Sequence, residues 1–376
     1  MKFQAWWLVG VLLILFMPAG YGSDEPAGDP AAEGRFLDRV RQLTFEGRRA
    51  GEGYFSADGS RLVFQSERET ENPFYQIYEM DLTDGETRRV SNGVGKTTCA
   101  YYMGSGEEIL YSSTHHDPRS SAQQKEEFEL RESGEERRYA WDYDPEMEIY
   151  VTASEGESRR LTRTRGYDAE GSVSPNGRWI VFASNRHAYG AAEKEAEVQR
   201  QLEVDPAFYN EIYRMRSDGQ SVQRLTDVDG YDGGPFFTQD GKSIVWRRFS
   251  PDGLVADIWM MDADGGNPRQ LTEFESMSWA PYPHPSGAYV IFTSNKHGFG
   301  NFELFIVDVD GLKQPVRVTQ TDGFDGLPVP SPDGRTLIWT SSRKSGGRDG
   351  AQLFIADWNH EHALEKLRVA PDRGNP

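Results

Sequence analysis

The stretch SPDGRTLIWTS, residues 331–341, joins a four-residue turn to a short apolar run. Aspartate followed by glycine suits a tight hairpin, because glycine takes positive φ at no steric cost. Variants of the turn recur as SADG (56–59), MGSG (103–106), SPNG (174–177), TQDG (238–241) and HPSG (284–287). Each leads into a run such as RLVFQS, RWIVFAS or AYVIFTS. After a variable loop comes a second run, such as QIYEMD, EIYRMR or ELFIVD. A further glycine turn follows in most copies, as in SDGQ (217–220) and ADGG (263–266), and then a segment of the type R-x-L-T. Short apolar runs bounded by Gly, Asp, Asn and Pro read as strands. Each unit is therefore a four-stranded antiparallel meander, its strands called a, b, c and d from the inside outward.

Three intervals between the turn glycines are near 47 residues, and two are longer because insertions lengthen the b–c loops of units 2 and 3. Six such units predict an all-β fold, a six-bladed β-propeller of four-stranded antiparallel blades. A pair of β-sandwiches would lack the fixed repeat of turns. The blades are expected at about 48–93, 94–166, 167–230, 231–274, 275–323 and 324–358. One R-x-L-T-type segment, VRQLT (40–44), precedes the first blade, and the last blade lacks one after QLFIADW. Val40–Thr44 is thus expected to be the outer strand of blade 6, closing the ring from the N-terminal side. The segment NHEHALEKLRVA (359–370) reads as a short helix opening a C-terminal tail (359–376).

Lys2 and the apolar run Ala5–Met17, ended by Pro18, read as an export signal cleaved after Gly22 (residues 1–22), with no membrane span left afterwards. Residues 23–39 are expected to be a flexible linker, with 23–34 the most polar part. The formal net charge of -19 argues against nucleic-acid binding. Cys99 is the sole cysteine, so no intramolecular disulfide is possible, and it reads as a small buried strand residue.

The pattern SPDG…IVF.S.R…EIY.M..DG…RLT resembles the TolB-type propeller repeat, a relative of the WD repeat, over about 40–358. That resemblance implies a periplasmic or secreted protein whose propeller binds protein or peptide partners in the cell envelope. TolB-type proteins also carry an N-terminal α/β domain. With some 20 residues between the signal and the first strand motif, that domain is not expected here. Related propellers occur beside exported peptidases and in polysaccharide lyases. No GxSxG elbow or HExxH helix is present. His115-His116-Asp117 puts adjacent histidines on opposite faces if extended, which suits joint metal ligation poorly, and His360-Glu361-His362, the next such cluster, is not read as a metal site either. The reading therefore favours a monomeric binding scaffold over a lyase-like or hydrolytic enzyme with a metal-assisted channel pocket.

Ligands of propellers meet the channel mouth and its loops. Three approaches to strand a share one form: RGYDAEG (165–171), DGYDGGP (229–235) and DGFDGLP (322–328). They align Asp168, Asp232 and Asp325, each after an aromatic: Tyr167, Tyr231 and Phe324. With Glu170 nearby, these could form an acidic rim able to hold Ca²⁺. Arg49, Lys96 and Trp279 fall at matching places on blades 1, 2 and 5. The alternative is that the Tyr-Asp and Phe-Asp pairs tie the blades together. Two long b–c insertions, 115–144 and 187–210, with a helix at 191–203 in the second, are expected to project from one face as partner-facing loops.

Overall fold

The computed structural model describes residues 29–374 apart from 105, 135–142, 154–156, 193–194 and 345–349. The expected export signal and the first part of the linker lie outside the described residues. The rest forms six four-stranded antiparallel sheets arranged as a ring. The inner strands are Arg49–Phe55, Thr97–Tyr102, Asp168–Val173, Asp232–Phe237, Ser278–Pro283 and Asp325–Pro330. Each touches the inner strands of its neighbours, and the first touches the last.

The turn chemistry explains the repeat. In SPDG (331–334), Ser331 Oγ donates to Asp333 Oδ1 at 2.6 Å and accepts from the Thr336 amide at 3.0 Å, while Gly334 takes φ 70°. Strand b is buried on both faces because neighbouring blades pack on it from each side. Tyr289–Ser294 is buried at every position, so the run shows no polar alternation. Antiparallel connectivity puts the a–b and c–d turns on one face. The b–c loops and the d–a connections lie on the other, here called the mouth face.

The R-x-L-T segment works as a clamp. Its Thr hydroxyl accepts the amide that opens strand c: Thr162 from Ile149, Thr226 from Ile212, Thr272 from Ile258 and Thr319 from Leu304, all at 2.9 Å. In blade 1, Ser91 does the same for Ile77 at 3.0 Å. In blade 6 the hydroxyl comes from the other end of the chain. Thr44 accepts from the Leu353 amide at 2.9 Å and donates to Gln352 Oε1 at 2.8 Å. The expected ring closure is thus observed, with Leu37–Gln42 antiparallel to Gln352–Trp358.

Two expectations need correction. The linker reading of 23–39 fails at its C-terminal end. Helix α1 (Pro30–Phe36) forms there, with Asp29 accepting the Ala31 amide at 2.9 Å and proline in the first turn. Phe36 then stacks on Trp358 at 5.9 Å, so pairing starts at Leu37 rather than Val40. Composition pointed to disorder, but one cap and one buried aromatic order the segment. The helix expected at 191–203 is instead two helices, numbered α3 and α4 after α2 (Ser120–Ser133) of the first insertion: α3 (Arg186–Ala192) and α4 (Ala196–Val204). The C-terminal helix, α5, spans His360–Val369.

Thr44→Val keeps the shape of the closing strand and strands the Leu353 amide and the Gln352 amide oxygen. It should lower unfolding free energy by about 1–3 kcal/mol in urea titration. An unchanged midpoint would show that the seam does not rest on this hydroxyl.

Candidate functional site

Every inner strand carries a register shift at the same point. The residue at the bulge has positive φ in all six blades: Glu52, Cys99, Glu170, Gly234, Ala280 and Leu327. Such bulges re-aim a side chain and turn an amide out of the ladder. Here the freed amide crosses to the preceding blade. Glu52 donates to Thr340 Oγ1 (3.1 Å), Cys99 to Gln65 Oε1 (3.2 Å), Gly234 to Glu170 Oε2 (2.6 Å) and Leu327 to Thr293 Oγ1 (3.1 Å). Five of these six residues are not glycine, in a backbone region that costs L side chains energy.

Two positions further along the strands, aromatic rings close the channel. Tyr54 lies 5.2 Å from Tyr101 and 5.6 Å from Phe236, and Phe236 lies 4.9 Å from Tyr282, centroid to centroid. The Tyr101 and Tyr282 hydroxyls meet at 2.9 Å. From the mouth inward, the channel therefore passes a ring of bulge residues and ends on an aromatic floor.

The bulge ring is polar on one side. Glu170 accepts from the Gly234 amide and from Arg247 Nη2 at 2.8 Å, and bonds the Tyr231 hydroxyl. The Arg247 guanidinium also stacks on Tyr231, 4.7 Å from the ring centroid. Burial works to lower its pKa, but the Glu170 charge, the Tyr231 phenol and the hydrogen bond to Glu170 together outweigh it, so Arg247 stays cationic. Gly233 makes the cluster possible: a Cβ there would lie 2.6 Å from Glu170 Oε2 and against the Tyr231 ring. Glu52 lies in the ring with one bond from the Tyr54 hydroxyl at 3.1 Å and the Cys99 thiol beside it. Burial inside the ring, together with the Glu170 charge, pushes its pKa from the ordinary 4.5 to about 7.

The sequence-predicted residues divide. Asp168, Asp232 and Asp325 are buried and take no place on the open rim. Each pairs with an arginine at the end of strand b in its own blade. Asp232 is bidentate to Arg248 at 2.8 and 2.7 Å, Asp325 meets Arg343 at 2.6 Å, and Asp168 binds Arg186 and Ser184. Arg49 is the charge-reversed equivalent, bonded to Glu67 at 2.6 Å. Lys96 pairs with Asp144 at 3.2 Å. Tyr167 is buried and stacks on Tyr143 of the first insertion at 5.3 Å. Tyr143 in turn meets the Tyr189 hydroxyl of the second insertion at 2.8 Å, so the two insertions are fastened together beside the mouth. Trp279 and Phe324, 6.1 Å apart, form an aromatic cluster with Phe302 on blades 5 and 6. Only Glu170 and Tyr231 of the predicted set join the channel cluster. Glu52, Cys99 and Arg247 were missed as site residues. Aligning the third or fourth residue of each inner strand, rather than the residue opening it, would have found the first two.

Among the described residues, no group of three His, Cys, Asp or Glu side chains converges as a metal site. A separate groove of about 540 Å³ opens on the opposite face, at the seam of blades 6 and 1 beside Arg41, Asp58 and Asp333.

This geometry defines a six-bladed β-propeller whose ring of bulge residues lies above a floor of aromatic rings. Comparison places TolB proteins among those sharing the fold. A protein described as TolB from Agrobacterium tumefaciens is 20% identical with TM-score 0.55, covering 82% of this chain and 90% of its own. TolB from Acinetobacter baumannii is 17% identical with TM-score 0.53, over 82% and 63%. A gluconolactonase from Xanthomonas campestris is 14% identical with TM-score 0.55, over 92% and 99%. At these identities the shared property is the fold. An uncharacterized protein of Agrobacterium fabrum is 29% identical over 152 residues, 37% of this chain, and the match spans 45% of that relative's length. No family model matches.

Glu52 should weaken the fold as pH rises. Its folded pKa exceeds the unfolded value, so between about 4.5 and about 7 the folded state holds the extra proton and stability falls. Glu52→Gln should be more stable than wild type at pH 8, by up to about 3 kcal/mol, and nearly equal to it at pH 4.5. Parallel unfolding curves across pH would disprove the assignment. Gly233→Ala should displace the Tyr231 ring, read as a shifted tyrosine ultraviolet difference spectrum with the fold retained.

Proposed function

We propose that this protein is an exported TolB-like propeller that acts as a binding scaffold, taking a protein or peptide partner of the cell envelope at its mouth face. The two fastened insertions form one wall of that mouth. One observation carries the reading. Phe45, Leu254 and Phe299 in loops, and Val204 at the end of α4 in the second insertion, are each half or more exposed and lie on the mouth face. Leu312 and Val369 are the comparably exposed apolar residues elsewhere among those described. Large apolar side chains left in water around a concave opening mark interaction surfaces. The fold likeness to TolB proteins agrees with this reading, and no described helix is long and apolar enough to cross a membrane. The chain would act as a monomer. Ca²⁺ belongs in the assay, because Glu52 and Glu170 face one channel.

The second reading is an enzyme acting on a carbohydrate or lactone. The strained ring holding Glu52, Cys99 and Glu170 favours it, since backbone strain gathers at reactive sites.

Affinity capture from envelope extract, with and without Ca²⁺, tests the choice. Wild type should retain a partner that Phe45→Asp/Phe299→Asp loses at unchanged melting temperature. Equal retention by both proteins, or turnover of oligosaccharides or lactones by wild type, would overturn the scaffold reading.

A further inference from the structure

The walls of the bulge ring differ in how far their polar groups are satisfied. The Glu170 carboxylate is engaged by an amide, a phenol and a guanidinium. Arg247 is consumed by Glu170 and Tyr231. On blades 5 and 6 the ring presents Ala280 and Leu327. Glu52 differs: among the described residues no cation forms a salt bridge with it, Arg247 acts on it only through its charge from across the ring, and the hydrogen bond to its carboxylate comes from the neutral Tyr54 hydroxyl. Its position is enforced, because the Thr340 hydroxyl pins its amide at φ 51°. Beyond it lies the floor of Tyr54, Tyr101, Phe236 and Tyr282.

We propose that the partner places a cationic side chain, the ammonium of a lysine or the guanidinium of an arginine, on the channel axis against the Glu52 carboxylate. This rests on the mouth-binding reading above and names the chemistry that the partner must carry. A buried carboxylate without a counter-ion is stabilised by a proton or by a cation, and a cation entering the ring displaces the proton. The aromatic floor favours the same occupant, since ring faces attract ammonium and guanidinium groups and accept the alkyl stem. A net charge of -19 draws cationic segments toward the surface. A saccharide would need several unsatisfied polar groups spread around the ring, and the apolar side at Ala280 and Leu327 supplies none.

Binding should be linked to protons. The titratable and charged groups facing Glu52 are Tyr54 on its own strand, Cys99 on blade 2, Glu170 on blade 3 and Arg247 on blade 4. Burial and the Glu52 charge raise the Tyr54 and Cys99 pKa values further, so neither titrates near neutrality.

The probes are a Gly-Gly-Lys-Gly-Gly peptide, its Nε-acetylated form, free Ca²⁺ and a neutral disaccharide, each titrated calorimetrically into the full chain. The lysine peptide should bind, with affinity rising about tenfold per pH unit below pH 7 and levelling above it. Acetylation or Glu52→Gln should weaken binding at least tenfold. Equal binding of the acetylated peptide, indifference to Glu52→Gln, or saturation by Ca²⁺ or the disaccharide without response to the lysine peptide would overturn the proposal. If the lysine peptide fails while wild type still captures an envelope partner that the mouth variant loses, this inference falls alone and the scaffold reading stands. Peptide binding without such capture removes the scaffold reading instead.

Discussion

A single hydroxyl per blade holds the outer half of each sheet in place. Strand d is only two or three residues long in the first five blades, too short to hold its register by ladder bonds alone. The threonine or serine that ends it accepts the amide opening strand c, which fixes both the pairing and the height at which the chain crosses to the next blade. That crossing delivers the next inner strand to the axis at a constant level. The bulge ring can be a ring only because the clamp repeats.

The bulges then turn constancy into function. Five of the six inner strands spend a non-glycine residue in a costly backbone conformation. In four blades the return is an amide that reaches sideways to the preceding blade. At Leu327 and Ala280 the side chain is apolar, while at Glu52, Cys99 and Glu170 it is polar. The cost of Glu52 grows as pH rises, a burden on the fold that structure alone does not require.

The fold was legible because turn, strand and clamp are local signals repeated six times. Even the displaced closing strand showed itself as a VRQLT with no blade before it. The site was legible only in part. Tyr167-Asp168, Tyr231-Asp232 and Phe324-Asp325 look alike in sequence, yet the carboxylates are claimed by Arg186, Arg248 and Arg343 at or just beyond the end of strand b. Only the pairing register decides which arginine meets which aspartate. Glu52 and Cys99 carry no motif, since their significance lies in a bulge that no single residue type announces. The order of Pro30–Phe36 was hidden for a similar reason: its stability comes from Trp358, more than 300 residues away.

The closing seam has a mechanical meaning. The first closing pair, Leu37 with Trp358, lies where the chain both enters and leaves the ring, and the two strands are antiparallel. Once the C-terminal tail has let go of Leu312 and Gln314 on blade 5, a force applied to the two ends of the chain peels these pairs one at a time instead of shearing them together. Under tension the ring should open at this seam first, as a zip opens from its free end, while the five continuous blades stay loaded in series behind it. A protein tethered at one end and held by its partner at the mouth would bypass that weak point, because the load path then runs through the blades.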